Sequence, residues 1–538
     1  MMSNSLFPHN RRNFRPAILG CTFLASLSLT LAASAQAETL VTGPSPFTGC
    51  VADHVATQPG TNFPNAEVEP WVDVNPNNAD HLIAGWQQDR WSNGGSRGLV
   101  SAFSIDGGAT WTTVVPQGIS LCTGGIYERS TDPWVTISPN GTAYFMSLGF
   151  QNDEPCGAGG DNAMLVSRST DGGATWSAPI SLVTDTDGKL FNDKNSMRAD
   201  PYNSDFVYAV WDKLVDFNLP SSCTTSSAKV AAVNKGADGV ADARDRLRKK
   251  RAGKAITPGT AFTGPTYFTR TTSGGLSWEP EKMIFDPGRN AQTINNLIEV
   301  LPNGTVIDFF THILDSADTA YLGMVKSTNR GASFGPLQTA FEMNVTSSGT
   351  LTPDAREPVR DANILFDVAV DSGNGNIYVV WQDGRNIGGH GSIDRVAFSM
   401  STNGGNSWSP AVIINKTPSA SNKLREQAFV PSVEVDANHK VVVTYYDFRN
   451  DTNDGRELTD YWAISCDIAA GANCRAVSGW GGEQRLTSSS FDMLDAPVAR
   501  GHFLGDYQGL VKAGSSVKAV FGKAVSDNVN DMFLSTIP

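Results

Sequence analysis

The chain carries few charged residues, and the charge that it carries is mostly negative. Only 18% of its 538 residues are Asp, Glu, Lys or Arg, and the formal net charge is −13. A negative surface does not favour nucleic acid or an anionic membrane as the main partner, because both are themselves negative. The apolar share of 40% excludes a disordered chain, and the composition is unlike that of collagen or a coiled coil.

Several common catalytic and metal-binding motifs are missing. The sequence has no phosphate-binding glycine loop, no serine nucleophile elbow, no HExxH pair and no CxxC pair. These absences argue against a nucleotide-binding protein, a serine hydrolase and a zinc site. Beyond the first 37 residues no apolar run is long enough to span a bilayer, so no membrane anchor is expected there.

Residues 1–37 are typical of an export signal. Arg11, Arg12 and Arg15 precede an apolar segment, and small residues follow it as far as Ala37. This order predicts cleavage after Ala35 or Ala37 and a secreted or periplasmic protein, with a transmembrane anchor as the alternative. Removal of the signal leaves 38 basic and 54 acidic residues, a net charge of −16, and six cysteines. An even number of cysteines in an exported chain predicts disulfides.

One short motif recurs five times. It reads SIDGGATW at 104–111, STDGGATW at 169–176, TTSGGLSW at 271–278, STNRGASF at 327–334 and STNGGNSW at 401–408. Its Asp or Asn can accept hydrogen bonds from turn amides, its glycine permits a positive φ, and its aromatic residue can pack in a core. Alternating apolar strands flank each copy. Each unit is therefore predicted to have four antiparallel strands, A to D, with this turn motif between C and D.

Seven such units follow one another. Their A strands are predicted to start near Trp71, Trp134, Pro201, Leu297, Phe366, Ser432 and Leu504. The third unit carries a polar insertion at about 224–260, and in the sixth Cys466 and Cys474 bracket the C–D turn, where a disulfide could close it. The seventh unit lacks strand D, which residues 38–43 could supply. We therefore predict an all-β fold, a single ring-closed β-propeller over residues 38–538, with seven four-stranded blades by repeat count and six as the alternative.

The repeated turn motif resembles the Asp-box, or BNR repeat, and residues 38–538 are similar to the sialidase (neuraminidase) superfamily of propellers. The family has six blades, and its site lies on the face away from the Asp-boxes, where the A strands start and the B strands end. The resemblance places these polar residues there: Glu69, Asp89, Arg90, Arg129, Asp132, Asp212, His312, Arg360, Asp361, Asp383, Arg385, Asp447, Arg449, Asp506 and Tyr507.

The resemblance implies roles for some of these residues. Tyr507 matches the family's tyrosine nucleophile, and Asp89 matches the region of its acid/base aspartate. The carboxylate of an acidic sugar would be held by arginines, drawn from Arg90, Arg129, Arg360, Arg385 and Arg449. The chain departs from the family in three places: Asn295 or Asn296 replaces a glutamate, Val68-Glu69-Pro70 replaces an arginine motif, and Thr311-His312 replaces a second arginine.

The expected function is that of a secreted, monomeric sialidase-like glycoside hydrolase acting on terminal acidic sugars of glycans, without a cofactor. One alternative is a lyase for an acidic polysaccharide, with His312 as base and Tyr507 as acid; His312 is otherwise a substrate-binding candidate. A second alternative is a propeller that binds glycans without cleaving them. The acidic loop at 447–457 is expected to be solvated, with a structural calcium site as its alternative.

Overall fold

The computed structural model describes residues 38–152, 161–217, 262–314, 319–346, 348–385 and 393–538. The predicted export signal at 1–37, the predicted insertion at about 224–260, and Cys21, Cys156 and Cys223 lie outside the described residues. Within the described part, no helix is long and apolar enough to cross a membrane.

The described residues form antiparallel sheets of four main strands, arranged one after another along the chain. In chain order, β1 is Thr39–Leu40; blade 1 is β2 Glu67–Val74, β3 Leu82–Arg90, β4 Ser96–Ser104 and β5 Thr112–Val114; blade 2 is β6 Arg129–Ile137, β7 Ala143–Phe150, β8 Asn162–Ser169 and β9 Ile180–Asp185. Blade 3 is β10 Leu190–Ala199, β11 Val207–Asp216, β12 Phe262–Thr263, β13 Thr266–Thr271 and β14 Lys282–Phe285; blade 4 is β15 Ala291–Val300, β16 Val306–Leu314, β17 Thr319–Ser327 and β18 Gln338–Met343.

The remaining blades complete the set. Blade 5 is β19 Phe366–Val370, β20 Ile377–Asp383, β21 Arg395–Ser401 and β22 Val412–Ile413; blade 6 is β23 Ala428–Val435, β24 Lys440–Asp447, β25 Leu458–Asp467, β26 Gly481–Arg485 and β27 Phe491–Asp492; blade 7 is β28 Gly509–Ala513, β29 Ser516–Ser526 and β30 Val529–Ile537 with β1. Short 3-10 turns lie at Leu121–Thr123, Lys423–Glu426, Val477–Gly479 and Met493–Asp495. A single bridge, Ser96 to Ser130, joins blades 1 and 2.

The described residues form an all-β propeller with seven blades, as the repeat count predicts. Its ring closes because β1 pairs antiparallel with β30, Thr39 opposite Leu534, so the predicted contribution of residues 38–43 to the last blade is confirmed. Two predicted strand starts are wrong. Pro201 lies in the turn between β10 and β11, and Leu504 lies in the loop before β28.

The repeated turn motif joins the third and fourth strands of five blades through the same hydrogen bonds. In each copy the hydroxyl of the first Ser or Thr accepts a glycine amide: Gly108 at 2.9 Å, Gly173 at 2.9 Å, Gly275 at 3.0 Å, Gly331 at 2.8 Å and Gly405 at 2.9 Å. In the first copy the carboxylate of Asp106 also accepts the amide of Thr110 at 2.9 Å, and Trp111 packs against the core of blade 1. The turn therefore ties the blade's outer hairpin to its core.

Two disulfides lie among the described residues. Cys466 pairs with Cys474 and closes the C–D turn of blade 6, as predicted, where the repeated turn motif is missing. Cys50 pairs with Cys122, 72 residues away, and fastens the segment after β1 to the loop that follows blade 1. Each disulfide therefore holds a segment that has few ladder hydrogen bonds of its own.

The first strand of each blade lines a central channel, whose two ends we call the upper and lower faces. The upper face is where these strands begin, and the lower face is where they end and where the turn motifs lie. Five of these strands carry a β-bulge just after they begin. The residue at each bulge has a positive φ: Glu69 at 55°, Asp132 at 51°, Lys194 at 45°, Asn295 at 62° and Val430 at 49°. Non-glycine residues rarely adopt this conformation, which is often found at functional sites.

Candidate functional site at the upper end of the channel

The bulges bring charged residues from separate blades into contact at the upper end of the channel. Lys194 Nζ lies 3.3 Å from Glu69 Oε1, 3.2 Å from Asp132 Oδ1 and 3.0 Å from Asp506 Oδ2. Arg360 binds the same Asp506 carboxylate through two nitrogens, at 2.9 and 2.6 Å. We call Glu69, Asp132, Lys194, Arg360 and Asp506 the channel cluster. All five side chains are buried.

Two carboxyl groups of the channel cluster, those of Glu69 and Asp506, have pKa values that are shifted in opposite directions. Burial raises the pKa of Glu69 to about 7, although the charge of Lys194 opposes it. Burial acts on Asp506 in the same direction, but the charges of Arg360 and Lys194 outweigh it and hold the pKa of Asp506 well below its usual range. Near neutral pH the cluster therefore offers one carboxyl group that can carry a proton beside one that is always ionised.

Aromatic rings form the floor below the channel cluster. Trp71 and Trp134 stack with ring centroids 3.5 Å apart, and the ring of Tyr507 meets both edge-on, at 6.0 and 5.6 Å. The Tyr507 hydroxyl is buried and has no hydrogen-bond partner among the described residues. Burial and the negative charges of Glu69, Asp132 and Asp506 hold the pKa of Tyr507 well above its usual value. Tyr507 therefore stays a neutral phenol in this arrangement.

A small cavity lies beside Asp506 and the aromatic rings of Trp71, Trp134 and Tyr507. It is lined by Asn295, Asp361, Gln382 and Tyr507 among others, and has a volume of about 30 Å³. A volume of this order holds roughly one water molecule. Both carboxylates of interest are nearly inaccessible, with Glu69 1% and Asp506 3% exposed.

Arg90 and Arg360 lie close to the same aromatic ring. Their guanidinium carbons are 5.0 and 4.2 Å from the centroid of the Phe503 ring. Arg90 also donates a hydrogen bond to Gln87 at 2.7 Å, and Gln87 in turn donates to the Glu69 carboxylate. Two of the five candidate arginines are thus connected to the channel cluster, one directly and one through Gln87.

The other three candidate arginines make their contacts elsewhere. Arg129 donates to Asn93 at 2.8 Å and lies 4.1 Å from the centroid of the Trp91 ring. Arg385 pairs with Asp383 at 2.6 Å, and Arg449 with Asp447 at 2.7 Å. In both of the last two cases the partner stands two residues earlier in the same sequence motif.

Asp89 and His312 occupy separate surroundings. Asp89 has a φ of 61° and accepts hydrogen bonds from Ser45 Oγ at 2.7 Å and from the Asn65 amide at 2.8 Å. Burial lowers the pKa of His312, whose ring meets that of Phe285 edge-on at 5.4 Å. Asp89 is thus held by the segment after β1, and His312 is a neutral imidazole in the upper half of blade 4.

The acidic loop at 447–457 brings carboxylates together, but a cation of the chain already lies among them. Asp354, Asp451 and Glu457 each have an oxygen within 4.8 Å of the others. Arg425 pairs with Asp354 at 3.0 Å and with Asp451 at 2.7 Å. Calcium binding at this loop therefore stays a prediction.

Lys194, the centre of the channel cluster, was not among the predicted site residues. The first strand of blade 3 was predicted to start near Pro201, and the polar residues predicted there were Arg198 and Asp200. Trp71 and Trp134 are 63 residues apart, and the same distance counted on from Trp134 leads to Met197. Met197 lies in β10. Counted on from Glu69 and Asp132, the same interval leads to Asn195, the residue next to Lys194.

Comparison with known proteins adds resemblances to solved structures. No family model matches the sequence, and no curated protein matches it. The Hadza microbial sialidase Hz136 is 14% identical, over 88% of this chain and 66% of that one, with a TM-score of 0.41. The leech intramolecular trans-sialidase is 12% identical, over 92% and 70%, with a TM-score of 0.40.

An α-L-arabinanase from Penicillium chrysogenum gives similar values. It is 13% identical, over 72% of this chain and 93% of that one, with a TM-score of 0.39. The fold of this chain therefore rests on its own strands, and its function on the geometry of the channel cluster.

Proposed function

We propose that the protein is a glycan-acting propeller that hydrolyses a glycosidic bond at its upper face. The observation that carries this proposal is the pair of carboxyl groups, Glu69 and Asp506, on either side of Lys194. Glu69, with its pKa of about 7, would protonate the leaving oxygen. Asp506, whose pKa is held low by Arg360 and Lys194, would act as the ionised carboxylate. Glycoside hydrolysis requires this combination.

A carboxylate pair is better supported than the tyrosine nucleophile of a sialidase. The Tyr507 hydroxyl has no hydrogen-bond partner, so no base among the described residues is placed to take its proton. Arg360 and Lys194 already bind Asp506, and Arg90 donates to Gln87. These cations are engaged by groups of the chain itself and are not arranged to hold the carboxylate of an acidic sugar, which favours a neutral sugar. Trp71 and Trp134 would stack against the sugar ring.

The test is hydrolysis of a panel of 4-nitrophenyl glycosides that includes an α-L-arabinofuranoside and a sialoside, at pH 4–8. At least one neutral glycoside should be cleaved, and activity should fall above about pH 7 as Glu69 loses its proton. Glu69→Gln and Asp506→Asn should each lower kcat by about 10²–10⁴-fold. Glu67→Gln is a matched control, because Glu67 lies in the same strand but faces Thr42 and Asp531.

Two results would contradict the carboxylate mechanism. One is full activity of Glu69→Gln. The other is cleavage of the sialoside alone with complete loss of activity in Tyr507→Phe, which would restore the sialidase mechanism predicted from the sequence.

Glycan binding without cleavage is a second candidate, because the Glu69 and Asp506 side chains that would cleave the bond are only 1% and 3% exposed. A glycan held at the upper face would then not reach the two carboxyl groups. Retention of the protein on a glycan array, with no released product from any glycoside, would support this candidate.

We also infer that the protein works outside the cytoplasm, in the periplasm or secreted. The disulfides Cys50–Cys122 and Cys466–Cys474 support this inference, because disulfides persist in oxidising compartments. Mass spectrometry of the exported chain should find its N-terminus at Gln36 or Glu38.

A further inference from the structure

The lower half of the channel is a separate cavity with a volume of about 650 Å³. Trp71 and Trp134 form its blind end, and the first strands of all seven blades contribute to its wall. This volume lies within the range of small-molecule binding sites, about 300–1,000 Å³. The cavity opens on the lower face, on the opposite side of the Trp pair from the channel cluster.

Six charged residues line this cavity: Asp73, Arg198, Glu299, Asp367, Glu434 and Lys512. Three of the four acids hold neighbouring blades together, since each accepts a backbone amide from the next blade. Asp73 accepts from Ile137 at 2.8 Å, Asp367 from Val433 at 2.8 Å and Glu434 from Lys512 at 3.3 Å. Each of these acids also accepts the amide of the residue that follows it. These carboxylates therefore have a structural role.

Glu299 is the exception among these acids. Within the described chain it accepts no hydrogen bond, and its nearest cation is Arg198 at 3.6 Å. Glu299 is only 9% exposed, and both side chains face the cavity. A buried carboxylate without a hydrogen bond is costly, so Glu299 has unused capacity to accept hydrogen bonds from a ligand.

The excess negative charge of the cavity wall favours a cationic ligand. Four carboxylates face two basic groups, so the fully ionised wall has two negative charges in excess. A divalent metal ion fits poorly, because calcium takes about 6–8 oxygen ligands and the oxygens of the other three acids already accept amides. Val72, Leu297 and Val511 are among the apolar residues that line the same cavity. An aliphatic chain with ammonium groups matches both the charge and the apolar wall.

We propose that the lower channel is a second binding site that takes a small aliphatic diamine, with one ammonium group hydrogen-bonded to Glu299. Its other ammonium group offsets the remaining negative charge of the wall. The face of the Trp pair closes the site and gives a cationic ligand a favourable surface. This function is independent of glycoside hydrolysis on the upper face.

The protonation of Glu299 gives the site a pH dependence. Burial raises the pKa of Glu299 to about 7, Arg198 opposes this, and Glu434 and Asp73 add to it. Lys512 acts in the same direction as Arg198, and Asp367 also lines the cavity. An ammonium ion at Glu299 would favour its ionised form, so the diamine should bind more tightly at pH 8 than at pH 6.

The test is calorimetric titration of the purified protein with 1,4-diaminobutane at pH 8, with 1,4-butanediol as the neutral probe. The diamine should bind with one-to-one stoichiometry, and the diol should not bind. Glu299→Gln should weaken diamine binding at least tenfold. Glu279→Gln, a matched control that pairs with Arg270 at 2.9 Å and does not line the cavity, should leave affinity within twofold. Thermal unfolding of each variant checks that it is folded.

Titration of the Arg198→Met variant with the same diamine is an independent test. Removing the guanidinium leaves Glu299 without its nearest cation, so the diamine should bind more tightly, by about threefold or more. Equal affinity of Glu299→Gln and wild type, or equal binding of the diol, overturns the proposal. A calcium signal that depends on Glu299 while the diamine gives none would also overturn it.

Discussion

The ammonium group of Lys194 is shared by three buried carboxylates, and its removal should destabilise the protein strongly. In Lys194→Met, Glu69, Asp132 and Asp506 lose contacts of 3.3, 3.2 and 3.0 Å. Breaking a single buried ion pair costs about 3–5 kcal/mol, because the partner charge stays buried. With three carboxylates affected, we expect the upper end of this range at pH 8.

The loss of stability in Lys194→Met should depend on pH, because Glu69 ionises in the same pH range. The folded-state pKa of Glu69, about 7, exceeds its ordinary value of 4.5. Ionisation of Glu69 therefore destabilises the fold as the pH rises from about 4.5 to 7. Without Lys194 its pKa rises further, and the cost extends to higher pH. At pH 5 the variant keeps Glu69 protonated, so the loss in free energy of unfolding should be smaller there.

Urea unfolding followed by tryptophan fluorescence at pH 5 and pH 8 measures this difference. A loss below about 1 kcal/mol at pH 8, or an equal loss at both pH values, would refute the reasoning. The double variant Lys194→Met/Glu69→Gln should recover part of the stability, with a coupling energy of about 0.5–3 kcal/mol. Lys213→Met is the matched control: this buried lysine contacts two acids, at 2.9 and 2.7 Å, and its loss should cost less.

Two further predictions concern the fold. The two disulfides span 72 and 8 residues, and the chain-entropy relation makes the longer loop the more stabilising. Replacing Cys50 and Cys122 by Ser should therefore lower the free energy of unfolding by about 4 kcal/mol, and replacing Cys466 and Cys474 by about 2.5 kcal/mol. A larger loss for the Cys466/Cys474 variant in denaturant unfolding would contradict this. Ser104→Ala should cost about 1–3 kcal/mol, since it leaves the Gly108 amide, now bonded at 2.9 Å, without a partner; an unchanged melting temperature would contradict it.

The architecture could be predicted because its signals are local. The turn that contains Ser104 and Gly108 closes within five residues, and the same sequence recurs wherever the same hairpin does. Cys466 and Cys474 are equally close in sequence. Seven blades and the closing role of residues 38–43 follow from counting these local units, without knowledge of any long-range contact.

The site was less predictable because its contacts join distant parts of the chain. Arg360 and Arg385 look alike as arginines near the end of a loop. However, Arg385 bonds to Asp383, two residues away, whereas Arg360 bonds to Asp506, 146 residues away. The shared spacing of Asp383 with Arg385 and of Asp447 with Arg449 predicts local ion pairs, but nothing in the sequence around Arg360 indicates its distant partner. Lys194 was missed for a related reason, because its position in β10 depends on where blade 3 begins.

The pairing of β1 with β30 has a consequence for biogenesis. Glu38, at the start of the described chain, contacts Lys523 at 2.6 Å, and Thr39 pairs with Leu534. During synthesis β1 is made before any of the blades, and its partner β30 follows the other described strands. The ring can therefore close only once β30 has been made, and this step bears the loop-closure entropy of the chain between β1 and β30. A chain that stops short of β30 would expose the edge of β29 and the unpaired β1, both open to pairing with other chains.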